Sequence, residues 1–171
     1  MRRLQFMWID IALILLPAGL VFAFLLLRKV RTRSATALPS NPILVDGSNV
    51  LHWGGEPSSR VLRRVLQALV EKDYDPIVFF DANIGYLLGD RYFDETMMAR
   101  ITGIPEEQIC VVSKGVVADE SILMFATDHD LRVVTNDRYR DWRARFPLAA
   151  RKGALVGGRW QEGSVVWRGT L

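Results

Sequence analysis

ILVDGSNV, residues 43–50, joins an unbroken apolar run to an acid and a turn pair. A short apolar run that stops at Asp-Gly reads as a buried strand. The form recurs along the chain: PIVFF (76–80) is followed by Asp81, ICVV (109–112) carries the single cysteine Cys110, and RVVT (132–135) leads through Asn136 to Asp137. Segments of helical period lie between these runs. Arg60–Glu71 places Val61, Leu62, Val65, Leu66, Leu69 and Val70 on one stripe, with Arg60, Arg63 and Arg64 off it. Further helices are predicted over Arg91–Ile101, Ala118–His129 and Asp137–Phe146, and a closing hairpin over ALVGGRW and SVVWRG. Continuous apolar strands alternating with helices imply a parallel sheet covered on both faces, a three-layer α/β domain. Ligands of such sheets sit beyond the carboxyl ends of the strands.

Residues 43–171 hold this pattern, and what precedes them differs. Residues 8–27, WIDIALILLPAGLVFAFLLL, carry one charge, Asp10. As a helix at about 1.5 Å per residue they would span roughly the hydrocarbon thickness of a bilayer. Residues 1–33 are therefore read as a transmembrane anchor with basic flanks, and SATALPSNP (34–42) as a linker. A cleaved signal peptide is the competitor, with Ala35-Thr36-Ala37 resembling a cleavage site. The apolar run is long for a signal core, and RKVRTR separates it from that site. Two basic residues before the span, Arg2 and Arg3, and four after it predict a single-pass inner-membrane protein with its C-terminal domain in the cytoplasm. A lone cysteine, which cannot form an internal disulfide, agrees with that side.

Net charge is +3 and the pI about 9.3. Both belong to the anchor. Sixteen Lys and Arg against 18 Asp and Glu remain from Asn41 onward, so the domain itself is slightly acidic. Its basic residues are locally dense, however: Arg138, Arg140, Arg143, Arg145, Arg151 and Lys152 are opposed only by Asp141. A charge run is usually a solvated face; beside an acidic site it points to an anionic substrate.

Asp46, Asp81 and Asp137 follow three of the strands and should emerge on one edge, where the helix starting near Asp119 also begins. With a helix from Asp137, Asp141 would lie one turn on, on the same face. Each acid alone has a plain explanation as a turn residue, a helix start or a solvated side chain. Together they would repel unless a cation compensates. Oxygen ligands of this type suit Mg²⁺ or Mn²⁺, and no His/Cys grouping has zinc spacing. Such an ion beside arginines suits phosphodiester hydrolysis.

ILVDGSNVLH, VVADESILMFA and VVTNDRYRDW, in that order, resemble the NYN branch of PIN-like nucleases, most closely the regnase type, the ribonuclease domain of monocyte chemotactic protein-induced proteins. The likeness covers roughly residues 43–142. It implies a PIN-like fold and Mg²⁺-dependent endoribonuclease activity on single-stranded or loop RNA. Asp46, Asp119, Asp137 and Asp141 would be the metal-binding and catalytic acids, and Asn49 would shape the site or contact substrate. Ala118 stands where the family carries the first of two acids, and no CCCH zinc finger is present. Arg138 and Arg140 are expected on substrate phosphates. Asp81 is an accessory candidate; His52 and Trp53 are either a base-stacking pair or part of a glycine-flanked surface loop; His129 is read as structural.

The expected protein is thus a membrane-tethered endoribonuclease that binds single-stranded RNA, with a homodimer as an open alternative. A catalytically weak PIN-like module binding RNA or a protein at the membrane is the first rival. A phosphatase using Asp46 as nucleophile is the second, disfavoured because Ser48 replaces the acid it would need.

Overall fold

The computed structural model describes residues 37–171. The expected span 8–27, its basic flanks and the start of the linker lie outside these residues. Among the described residues no helix is long and apolar enough to cross a membrane.

The elements run β1 (Pro42–Asp46), α1 (Gly47–Leu51), α2 (Ser59–Val70), β2 (Asp75–Phe80), α3 (Ile84–Gly89), α4 (Glu95–Thr102), β3 (Ile109–Val111), α5 (Ala118–Asp128), β4 (Val133–Val134), β5 (Leu155–Gln161) and β6 (Ser164–Arg168). Short 3-10 turns fall at Glu106–Gln108, Arg140–Trp142 and Pro147–Ala150. The sheet order is β3-β2-β1-β4-β5-β6, parallel from β3 to β5, with β6 returning antiparallel along β5. The closing hairpin therefore forms, and its first strand also widens the parallel sheet.

Alternation along β1 decides the layering. Ile43 and Val45 face one side, where they join Val61, Leu62, Val65, Leu66 and Leu69 of α2, Ile84 of α3 and Met98 of α4. Leu44 faces the other, packing with Ile77, Phe79 and Val133 of the sheet and Ala118, Ile122 and Ala126 of α5. Both faces of the strands are buried, which is why they read as continuous apolar runs. Cys110 lies in β3, partly buried against this second cluster. His129 ends α5, its amide donating to the Phe125 carbonyl and its ring lying 4.5 Å from the Phe125 ring, a structural place.

Three expectations need correction. Asp137–Phe146 forms no α-helix. Asp137 Oδ1 accepts from the Tyr139 amide at 2.7 Å, and Tyr139 takes the left-handed conformation (φ 45°, ψ 43°), which stops helix growth. Asp137 and Asp141 are therefore not stacked one turn apart. The helix expected from Arg91 begins at Glu95, because Asp94 caps it through the Met97 amide. The linker ends one residue early: Pro42 already belongs to β1, and Asn41 is tied to Asp73 and Asp75. Helices α1 and α3 lack a legible period because they are five and six residues long.

The chain runs β1, β2, β3 to one side and then returns to β4 and β5 on the other. The reversal between β1 and β4 is the switch point where open α/β sheets bind ligands.

Candidate active site

Asp46 ends β1 at the switch point. The register pairs Val45 with Val134, so Thr135, directly after β4, stands beside Asp46. The carboxylate is 6% exposed and well bonded. Oδ1 accepts from the Asn49 amide at 3.0 Å, capping α1. Oδ2 accepts from the Thr135 hydroxyl and from the Tyr139 phenol, each at 3.0 Å. Burial raises the Asp46 pKa from 3.8 to about 6, with the three donors pulling it down and the charge of Asp119 pushing it up. Tyr139 is fully buried; its phenol is held neutral, first by burial and then by the charge of Asp46.

Asp119 sits in the first turn of α5 and is half-buried. Its pKa is raised by burial, then by the charges of Asp137 and Asp81, while a hydrogen bond from Trp142 lowers it. Asp119 is thus the hub of the acidic set: the charges of Asp81 and Asp137 act on it, and its own charge acts on Asp46. The topology explains this convergence. Asp46, Asp81 and Asp137 leave the carboxyl ends of three adjacent strands, and α5 begins at that edge. Asp141 has a different place. It is exposed on the 3-10 turn that carries Trp142, and its charge is not among those that shift Asp46 or Asp119.

Asn49 holds the site together. Its Oδ1 accepts from the Trp53 indole at 3.0 Å and from the Asn136 amide at 2.9 Å. Two donors fix which end is oxygen, so Nδ2 is left with no bond to the described residues. Asn136 extends the clamp to β5, accepting from the Gly158 amide and from Arg168 and donating to the Gly158 carbonyl. Trp53 is buried, with its ring edge-on to Trp167 at 6.0 Å. A Cβ on Gly158 would lie 2.3 Å from that ring, so glycine is what lets β5 close over it. Trp53 is therefore a wall of the site rather than a base platform, while His52 beside it is exposed.

Among the predicted arginines, Arg138 and Arg140 are exposed next to Asp137, as is Arg143. Arg145 is taken up by Glu120 at 2.5 Å and lies over Phe146, and Arg151 is paired with Asp130 at 2.6 Å. Arg138, Arg140, Arg143 and Lys152, four of the six basic residues of the run, thus have no ion pair among the described residues. Sequence reading missed Thr135 and Tyr139, which orient Asp46. The one available signal was a Thr placed directly before Asn136-Asp137 at a strand end.

No three His, Cys, Asp or Glu side chains among the described residues are grouped in a cage that could hold a metal. The donor chemistry still suits a hard cation in the manner of Mg²⁺, which takes one or two carboxylates and completes its shell with water and phosphate. Asp46 uses three of about four lone-pair sites on its oxygens and keeps one on Oδ1. Asp137 keeps Oδ2 without a bond to the described residues.

A family model described as Zc3h12a-like Ribonuclease NYN domain matches residues 39–151. Among solved structures, Arabidopsis thaliana nuclear protein-only RNase P 2 is similar in fold, with a TM-score of 0.59 at 16% identity. The match covers 89% of this chain and 34% of that one, so the chain spans about a third of that protein's length. No curated protein matches the sequence.

Proposed function

The chain belongs to the Zc3h12a-like ribonuclease NYN domain family, and on that premise we propose that it is a divalent-metal-dependent endoribonuclease, tethered to the membrane through residues 8–27 with its domain facing the cytoplasm. Single-stranded RNA is the substrate. The observation that carries the reading is the repulsion centred on Asp119: the charges of Asp81 and Asp137 raise the pKa of this half-buried carboxylate, its own charge raises that of buried Asp46, and no cationic side chain offsets either. Like charges held this way cost the fold unless something positive joins them.

Asp119 together with Asp46 or Asp137 would hold Mg²⁺ or Mn²⁺, with water and phosphate completing its shell and Asp141 at the rim. When bound, such an ion supplies Lewis-acid polarisation of the scissile phosphate and of the attacking water. The chain's own residues do the rest. Thr135 and Tyr139 fix the orientation of Asp46 through their hydroxyls. The Trp142 bond favours the ionised form of Asp119. Asn49 Nδ2 donates to a phosphate or ribose oxygen, its other end being locked in the clamp. Arg138 and Arg140 hold the phosphates that flank the scissile one, as guanidinium forks do. The buried Asp46 is a poor phosphatase nucleophile, since three donors already occupy it.

Full-length protein in detergent micelles should cleave a fluorescent unstructured RNA internally with Mg²⁺ and not with EDTA. Asp119→Asn should slow cleavage by roughly 100-fold or more. Equal cleavage with EDTA would end the metal mechanism. Ala118 in place of a family acid, and the lack of a three-acid cage among the described residues, favour a second reading, a module that binds RNA or a protein partner without turnover. Tight RNA binding with no cleavage in Mg²⁺ or Mn²⁺ would select it.

A further inference from the structure

The segment between β2 and α4 is a small lobe at the same edge as the acids. It opens with Asp81, whose amide donates to the Ser48 hydroxyl at 2.9 Å, so the lobe is fastened to α1, the helix that follows Asp46. Its helix α3 folds back on residues 91–93. A Cβ on Gly85 would lie 2.1 Å from the Arg91 carbonyl oxygen and 2.4 Å from the Phe93 amide nitrogen, so the two backbones touch and only glycine fits. Phe93 and Ile84 are buried beneath, which anchors the lobe at both ends. Rigid anchoring makes its surface composition unexpected: Tyr86 and Tyr92 are 60% and 59% exposed, and Leu87 lies between them in the chain at 43%.

Exposed tyrosines on a pinned backbone lose little entropy when they bind, and an aromatic face accepts any nucleobase. The loop after β3 leaves the same edge of the sheet, since Val111 pairs with Phe80, and carries exposed Lys114, Val116 and Val117 toward Asp119. Exposed Arg91 lies beside Tyr92 in the lobe, and Arg138, Arg140 and Arg143 stand on the β4 side of the acids. Apolar faces therefore flank the acids on the β2–β3 side, and cations are present on both sides. That distribution is complementary to a strand with unpaired bases and a charged backbone, and less so to a wholly apolar partner.

We propose that the lobe from Asp81 to Asp94 is a base-binding platform, on which Tyr86 and Tyr92 stack unpaired nucleobases of the RNA whose phosphates pass over the carboxylates. This rests on the ribonuclease reading and sharpens it. Paired bases are already stacked on each other, so the platform selects single-stranded or splayed-out RNA over a duplex.

The test measures fluorescence anisotropy of full-length protein in micelles with EDTA, using a short unstructured fluorescein-labelled RNA and the same RNA made abasic at successive positions. Cleavage of the intact RNA with Mg²⁺ is followed in parallel. The Tyr86→Ala/Tyr92→Ala variant should bind intact RNA roughly 5- to 100-fold more weakly and should no longer distinguish it from abasic RNA. Its KM should rise with kcat little changed, and Tyr86→Trp/Tyr92→Trp should restore binding. Both sites are exposed, so an unchanged melting temperature confirms folding. Should the parent neither bind nor cut RNA, the ribonuclease reading fails and takes the platform with it. Should the parent cut normally while the alanine variant matches it on both RNAs, the platform alone is overturned. Loss of vesicle binding or of self-association in that variant, with RNA affinity intact, overturns it equally.

Discussion

Replacing Asp46 by Asn should make the folded protein more stable while abolishing its activity. The carboxyl group has a pKa near 6 in the fold against 3.8 ordinarily, chiefly because it is buried. Between those values the unfolded chain sheds a proton that the folded state keeps, so the parent's stability falls as pH rises from about 4 to about 6 and then levels off. At about 1.4 kcal/mol per pKa unit, the ionised group costs the fold about 3 kcal/mol above pH 6. Asn has nearly the shape of the protonated acid and carries no charge to desolvate. Its Oδ1 can keep the cap on the Asn49 amide, while its Nδ2 faces the Thr135 and Tyr139 hydroxyls, which must turn to accept. That rearrangement costs about 1 kcal/mol. The net gain should be about 2 kcal/mol at pH 7.5, should vanish near pH 4.5 and should turn into a deficit of about 1 kcal/mol at lower pH. Urea denaturation followed by tryptophan fluorescence, in EDTA across this pH range, measures the gap directly. A variant less stable than the parent at pH 7.5, or a gap that does not move with pH, would refute the account of Asp46 as a strained functional acid.

Other consequences are open to direct measurement. Cleavage by the parent should increase with pH through about 6, as Asp46 becomes ionised; a rate that falls over that range would contradict its role as a carboxylate. Tyr139→Phe removes one donor from Asp46 and should cost about 1 kcal/mol of stability with a moderate loss of kcat, read by urea titration and single-turnover cleavage. Gly158→Ala drives a methyl into the Trp53 ring and should destabilise the domain by about 1–3 kcal/mol, seen as a lowered urea midpoint. Asp141→Asn should keep more activity than Asp119→Asn, because Asp141 stands apart from the charges acting on Asp119; equal losses would place it among the central acids.

The strands were legible because both faces of the sheet are covered, which removes polar residues from β1 and β2 and leaves unbroken apolar runs. The acids were legible for a related reason: in a parallel sheet every strand delivers its end to the same edge. The segment after β4 was not. Its alternating aspartates and arginines have helical spacing, yet the local bond from Tyr139 to Asp137 and the burial of the phenol against Asp46 outweigh that preference. The second depends on contact between residues far apart in the chain, 93 positions for Tyr139 and Asp46. The same holds for Trp53, whose burial depends on the β5–β6 hairpin more than a hundred residues later. Asn49 was found through the family's motif, but its clamp on Trp53 and Asn136 could be seen only in three dimensions. Asp81 emerged from the reverse situation, an acid without a motif that topology sets beside Asp119.

The acids at the switch point are held to share a divalent cation, and anomalous scattering from crystals of the full-length protein grown with Mn²⁺ addresses that claim most directly. The predicted result is a peak within bonding distance of oxygens from Asp119 and at least one of Asp46 and Asp137. Crystals with these carboxylates ordered and no peak beside them, or a peak only at distant surface acids, would contradict it.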